Sequence, residues 1–121
     1  MKRSFSLREG SDFQRVWEKG KSWSHPLIIL RALANGTPAS RFGFVVGKKV
    51  GKAVERNRAK RLMREAVRHR LAGIAPGWDI ILIARREADG ADFQAVDAAV
   101  ETLLARAHLT ETHDSNSNSA L

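Results

Sequence analysis

Arg56-Asn57-Arg58, Lys60-Arg61, Arg64 and Arg68 put six cations and an amide into one short stretch of chain. The chemistry open to such a set is anion binding. A guanidinium stays charged, donates in a planar fork and matches phosphate oxygens in pairs. None of these groups is a nucleophile or a general base near neutrality. Lys48, Lys49 and Lys52 lead into the set, and Arg70 closes it. The run from Lys48 to Arg70 holds ten of the 21 Lys and Arg residues, opposed only by Glu55 and Glu65. Its net charge of +8 equals that of the whole chain, so the positive field has one source and points to a polyanion.

Residues 54–71 contain no Gly or Pro and read as a helix. At about 100° per residue, Ala59, Leu62, Met63, Ala66, Val67 and Leu71 share one arc. Asn57, Arg58, Lys60, Arg61, Arg64 and Arg68 fall largely on the other. One arc packs on a core while the other presents cations one turn apart. A solvated face built for solubility mixes its signs, and this one does not. A membrane surface fits poorly, because the apolar arc has no Trp or Phe to insert.

Catalytic constellations are missing from the sequence. His25, His69, His108 and His113 show no i, i+4 ligand spacing, and there is no Cys for a thiolate or zinc site. Gly47-Lys-Lys-Val-Gly51-Lys52-Ala53 resembles a P-loop only superficially, since it lacks the first Gly and the hydroxyl after Lys. Carboxylates are scattered, whereas a nuclease made of protein alone needs them clustered around metal ions.

The rest of the chain must position the cationic helix. With 121 residues and 43% hydrophobic content it reads as one domain, residues 1–109, with its own core. Residues 1–10 form a basic arm that Phe5 and Leu7 can tack down. Ser11 and Gln14 fit a capping box for a helix over 12–19, ended by Gly20, with Phe13, Val16 and Trp17 on one face. Trp23 to Leu33 reads as one strand that begins at, or lies on an edge because of, Pro26. Arg41 to Val46 reads as a second strand, paired antiparallel with the first across a short loop. Its Phe42, Phe44 and Val46 face one way, and Gly43 and Val45 the other. Trp78 to Ala84 reads as a central strand buried on both faces. Residues 91–107 form a last helix, and residues 110–121 a polar, disordered tail. The expected fold is α+β: an α-β-β-α-β-α two-layer sandwich on a small sheet, with a β-α-β crossover through the basic helix. No signal peptide or membrane span is visible, which points to the cytoplasm.

The run KKVGKAVERNRAKRLMREAVR resembles the signature of the bacterial ribonuclease P protein subunit. So do the Ser-Asp-Phe-Gln-Arg-Val-Trp, Arg-Phe-Gly-Phe-Val-Val-Gly-Lys-Lys and Trp-Asp-Ile-Ile-Leu-Ile-Ala-Arg stretches, in that family's order. The resemblance covers about residues 7–107. It implies a non-catalytic protein component of an endonuclease that removes the 5′ leader of precursor tRNA. The RNA subunit carries catalysis with Mg²⁺, and the protein binds no cofactor of its own. It also implies that Lys52, Arg56, Asn57, Arg58, Lys60, Arg61, Arg64 and Arg68 meet the RNA subunit. A cleft with Phe13, Trp17, Arg31, Lys48 and Lys49 then takes the single-stranded leader, the aromatic rings offering stacking surfaces. Plain core packing is the competing reading for Phe13 and Trp17. Partners are the ribonuclease P RNA and precursor tRNA, with neither DNA nor membrane. Some relatives carry an aromatic where Arg31 stands, and this chain has no Tyr, so charge contacts gain weight in its cleft. The family also implies a left-handed crossover, against the usual right-handed preference. A general RNA-binding or ribosome-associated protein is the alternative.

Overall fold

The computed structural model describes residues 6–7 and 10–110. Helix α1 (Ser11–Lys19) is followed by strands β1 (Lys21–Ser24), β2 (Ile28–Ala34) and β3 (Arg41–Val46). Then come helix α2 (Ala53–Arg68), strand β4 (Trp78–Ala84) and helix α3 (Phe93–Arg106). The four strands form one mixed sheet in the order β1-β2-β4-β3.

The fold is α+β, with three corrections to the expected order. The single strand expected over 23–33 is a hairpin of two, β1 and β2, turned at His25-Pro26-Leu27. The missing Pro26 N–H interrupts the ladder, and His25 Nδ1 accepts from Leu27 N at 3.0 Å inside the turn. Second, β2 and β3 do not pair with each other. β4 lies between them, antiparallel to β2 and parallel to β3. β4 carries an unbroken apolar run that only a strand covered on both faces can bury, so it takes the centre. Third, no capping box forms at Ser11. Gly10 caps α1 at φ 136°, a conformation suited to Gly, and the Gln14 side chain donates to Glu18 instead (2.6 Å).

The other expectations for the elements hold in outline. α2 ends at Arg68, short of Leu71, which lies in a separate 3-10 turn with Ala72 and Gly73. Asp92 caps α3 by accepting from Ala95 N at 2.9 Å. In the N-terminal arm, Leu7 is buried and its N–H donates to Phe42 O at 2.7 Å. Phe5 lies outside the described residues, as does the tail from 111 on. Thr110, expected in that tail, instead bridges to Ile74.

The two faces of the sheet differ. On one, α2 and α3 seal Ile28, Leu30, Phe42, Ile80 and Leu82 into the main core, with Met63, Val67, Val100 and Leu104 above them. On the other, α1 makes a smaller cluster around Val16, Leu7 and Ile81, flanked by Phe13, Leu33, Val45 and Ile83. The expected two layers are thus complete, and α1 adds a partial third.

Candidate nucleic-acid interface

The apolar arc of α2 seats the helix as its spacing predicts, with Ala59, Met63, Ala66 and Val67 buried. Burial on one arc drives the opposite arc outward, so Asn57, Arg61, Arg64 and Arg68 are exposed. Among the described residues, the side chains of Asn57, Lys60 and Arg61 make no hydrogen bond or ion pair to the protein. Both acidic residues of the helix are occupied. Glu55 Oε1 accepts from Lys52 N at 2.9 Å, closing the helix start. Glu65 pairs with Arg68 at 2.6 Å, and this hydrogen bond holds its carboxyl below the usual carboxylate range.

Three of the cations also brace the protein. Arg56 Nη1 donates to Gly51 O and Arg58 Nη1 to Ala91 O, each at 2.9 Å. The Arg58 bond joins α2 to the segment that leads into α3, so this side chain is only half-buried and partly committed. The Arg64 guanidinium lies 5.5 Å from the centroid of Phe44, stacked at the edge of β3.

The face under α1 holds the second half of the site. Cross-strand partners set three rows there: Leu33, Asp79 and Arg41; Arg31, Ile81 and Gly43; and Ile29, Ile83 and Val45. α1 covers the first two rows, leaving Asp79 and Ile81 with no exposure. The third row is only half-buried and forms the floor of a trough. Helical geometry decides which side of α1 overlooks it. With Val16 pointing down, Asp12 and Arg15 project to one side and Phe13 and Trp17 to the other. Asp12 and Arg15 reach the Asp79 row, so Phe13 and Trp17 overlook the trough. Their rings stack 6.0 Å apart at 14°. Phe13 belongs to the smaller core and abuts Gly43, where a Cβ would stand 3.4 Å from its ring. Trp17 is 42% exposed, too open to count as core packing.

The ends of β3 and β4 supply the charge of the trough. Lys48 and Lys49 are exposed on a 3-10 turn immediately after β3, and Arg86 on a second such turn after β4. The two turns contact each other at the carboxyl ends of this parallel pair. Arg85 continues the alternation of β4 onto the same face as Ile83. Arg85 and Arg86 are not among the residues that the sequence reading assigns to the cleft. A pair of cations beyond a central strand, where ligands often sit in open sheets, was the signal available.

Arg31 sits differently from the open cation expected. Its guanidinium donates to Ser22 Oγ at 2.6 Å and to Gly20 O at 2.9 Å, fastening the end of α1 to the β1–β2 hairpin. At Gly20 itself a Cβ would come within 2.6 Å of Val16 O, so only Gly permits this close exit.

The arrangement also contains a buried charge with no counterpart in the sequence reading. Asp79 is completely buried on β4. Arg41 grips both of its oxygens, at 2.9 and 2.8 Å, and Asn35 Nδ2 donates at 2.9 Å. Arg15 approaches to 3.8 Å, and Arg41 reaches on to Asp12 at 3.1 Å. The bond to Asp79 raises the Arg41 pKa above its ordinary value, fixing its charge.

The site therefore presents an exposed cationic helix on one side of β3 and a trough with aromatic and basic walls on the other. Cations and exposed rings of this kind have the chemistry to meet phosphates and unpaired bases; among the described residues no group of His, Cys, Asp and Glu could hold a metal ion. Comparisons with known proteins show the family. The sequence model of the Ribonuclease P family matches residues 1–108. The ribonuclease P protein component of Herpetosiphon aurantiacus is 46% identical over 109 residues, covering 90% of this chain and 89% of that protein. That of Dehalococcoides mccartyi strain CBDB1 is 40% identical over 114 residues, covering 94% and 93%. The RNase P protein of Staphylococcus aureus superposes with a TM-score of 0.81 at 30% identity, covering 88% of this chain and 98% of that one. The Thermotoga maritima protein gives 0.76 at 35% identity, covering 84% and 96%. The chain belongs to the ribonuclease P protein family.

Proposed function

We propose that the chain is the protein subunit of ribonuclease P, binding the catalytic RNA through α2 and the 5′ leader of precursor tRNA in the trough under α1. The observation that carries this reading is the placement of two different surfaces on either side of β3. Asn57, Lys60, Arg61, Arg64 and Arg68 suit the phosphates of a folded RNA. Phe13 and Trp17, over the Ile29–Ile83–Val45 floor and beside Lys48 and Lys49, suit an unpaired strand. The bond-breaking groups and the Mg²⁺ come from the RNA, and the protein binds, orients and neutralises charge. A cytoplasmic location follows from those partners.

Leader cleavage of a precursor tRNA by bacterial ribonuclease P RNA at low Mg²⁺, with and without the protein, tests this. Strong stimulation, together with tighter binding of precursor than of leaderless tRNA, is the expected result. Tight RNA binding with no stimulation would leave a general RNA-binding protein instead.

A further inference from the structure

The buried Asp79 stands exactly where a charge is hardest to keep, and its contacts all lie on one side of α1. Resting on the leader-cleft reading above, we propose that the Asp79–Arg41–Asp12–Arg15 cluster is a positioning clamp. It fixes the roll of α1 about its axis and so sets the aromatic ledge over the leader.

Apolar packing and the helix end fix α1 only in part. Val16 is buried beneath it, Phe13 rests over Gly43, and Arg31 holds the Gly20 carbonyl at the carboxyl end, but none of these acts on the Asp12–Arg15 side of the helix. Two contacts reach that side of α1 from the sheet: a directional hydrogen bond from Arg41 to Asp12 at 3.1 Å, and the ion pair of Asp79 with Arg15 at 3.8 Å. The anchoring pair cannot drift, because Arg41 holds Asp79 through two bonds and Asn35 donates to the same carboxylate. A buried carboxylate loses its hydration and persists only when its oxygens are filled this way. On the far side of Val16, the stacked Phe13 and Trp17 side chains make no hydrogen bond among the described residues. Phe13 is seated over Gly43, so the ring whose position above Ile83 and Val45 the clamp sets from behind is the exposed Trp17.

The test removes the helix side of the clamp and leaves the buried Asp79–Arg41 pair intact. Asp12→Ala with Arg15→Ala changes two solvent-facing side chains. Two readings are taken on full-length protein. In the free protein labelled with 5-fluorotryptophan, the Trp17 resonance should move while those of Trp23 and Trp78 hold. In the reconstituted holoenzyme, the ratio of precursor to leaderless tRNA affinity should fall about tenfold, the scale of one stacked base. Binding of the RNA subunit should not change. Asp12→Glu with Arg15→Lys, which keeps both charges, should retain the ratio. An unmoved Trp17 resonance overturns the clamp, as does a moved resonance with an intact ratio. If the unaltered protein shows no preference for precursor, the leader-cleft reading fails, whatever Trp17 does.

Discussion

Leu82 and Ile83 are neighbours on one strand and live on opposite faces. Leu82 lies under α2 and α3 with no exposure, whereas Ile83 is half-buried in a trough that α1 covers only in part. The sealed face spends its apolar surface on stability. The open face leaves some unspent, and a ligand can complete that burial. The same division separates α2's buried arc from its outer one: Met63 and Val67 hold the helix, and Arg61 and Arg64 are left to act. On the reading proposed above, the surface left to meet RNA is the one where burial stops.

The contrast can be broken first at its strongest point. Leu82→Ala should lower unfolding free energy by about 3 kcal/mol, and Ile83→Ala by about half of that, because its site is partly open. Urea denaturation gives both values, and equal losses would erase the distinction between the faces. Next, Trp17→Ala should cost about 1–3 kcal/mol in precursor binding, the scale of one stacked base. It should leave leaderless tRNA and urea stability nearly unchanged. A loss of stability instead would return Trp17 to the core. Third, Arg61→Ala should weaken assembly with the RNA and lower the salt slope by about one unit, since its guanidinium has no partner among the described residues. Arg58→Ala should do the same and also loosen the α2–α3 junction through the lost bond to Ala91.

The smallest effect is one of pH and belongs to the sealed side. Asp97 on α3 is pushed up by burial. Hydrogen bonds from Arg70 and His69, both at 2.7 Å, outweigh this and hold it below its ordinary value. A carboxyl depressed in the folded state contributes stability above its unfolded pKa of about 3.9 and loses it as pH falls through the folded value. Asp97→Asn should therefore flatten the acid side of the stability profile while leaving RNA affinity alone. A thermal melt series from neutral to acid pH would show it.

Periodicity made α2 legible, since six apolar positions at helical spacing can serve only one buried arc. The apolar run of β4 likewise announced a central strand. Centrality has a corollary that local reading overlooks: a strand in the middle must separate others, so β2 and β3 could not pair. β1 was missed because Lys21, Ser22 and Ser24 give no alternation of apolar residues, and its partner β2 alone defines it. Asp79 was invisible for a different reason. Its contacts, Arg41, Asn35 and Arg15, are remote in sequence, and a lone acid in a hydrophobic run carries no local mark of what will satisfy it. The trough shares that difficulty, being assembled from α1, three strands and two turns.

The late position of β4 has a temporal consequence. This strand pairs with both β2 and β3, yet it follows α2 in the chain. During synthesis the cationic helix leaves the ribosome before the strand that completes its seat, and every β4 pairing must close a long loop. A nascent chain therefore displays its charge earlier than its structure. The partner that meets it first finds a polycation, and selectivity arrives only with the last third of translation.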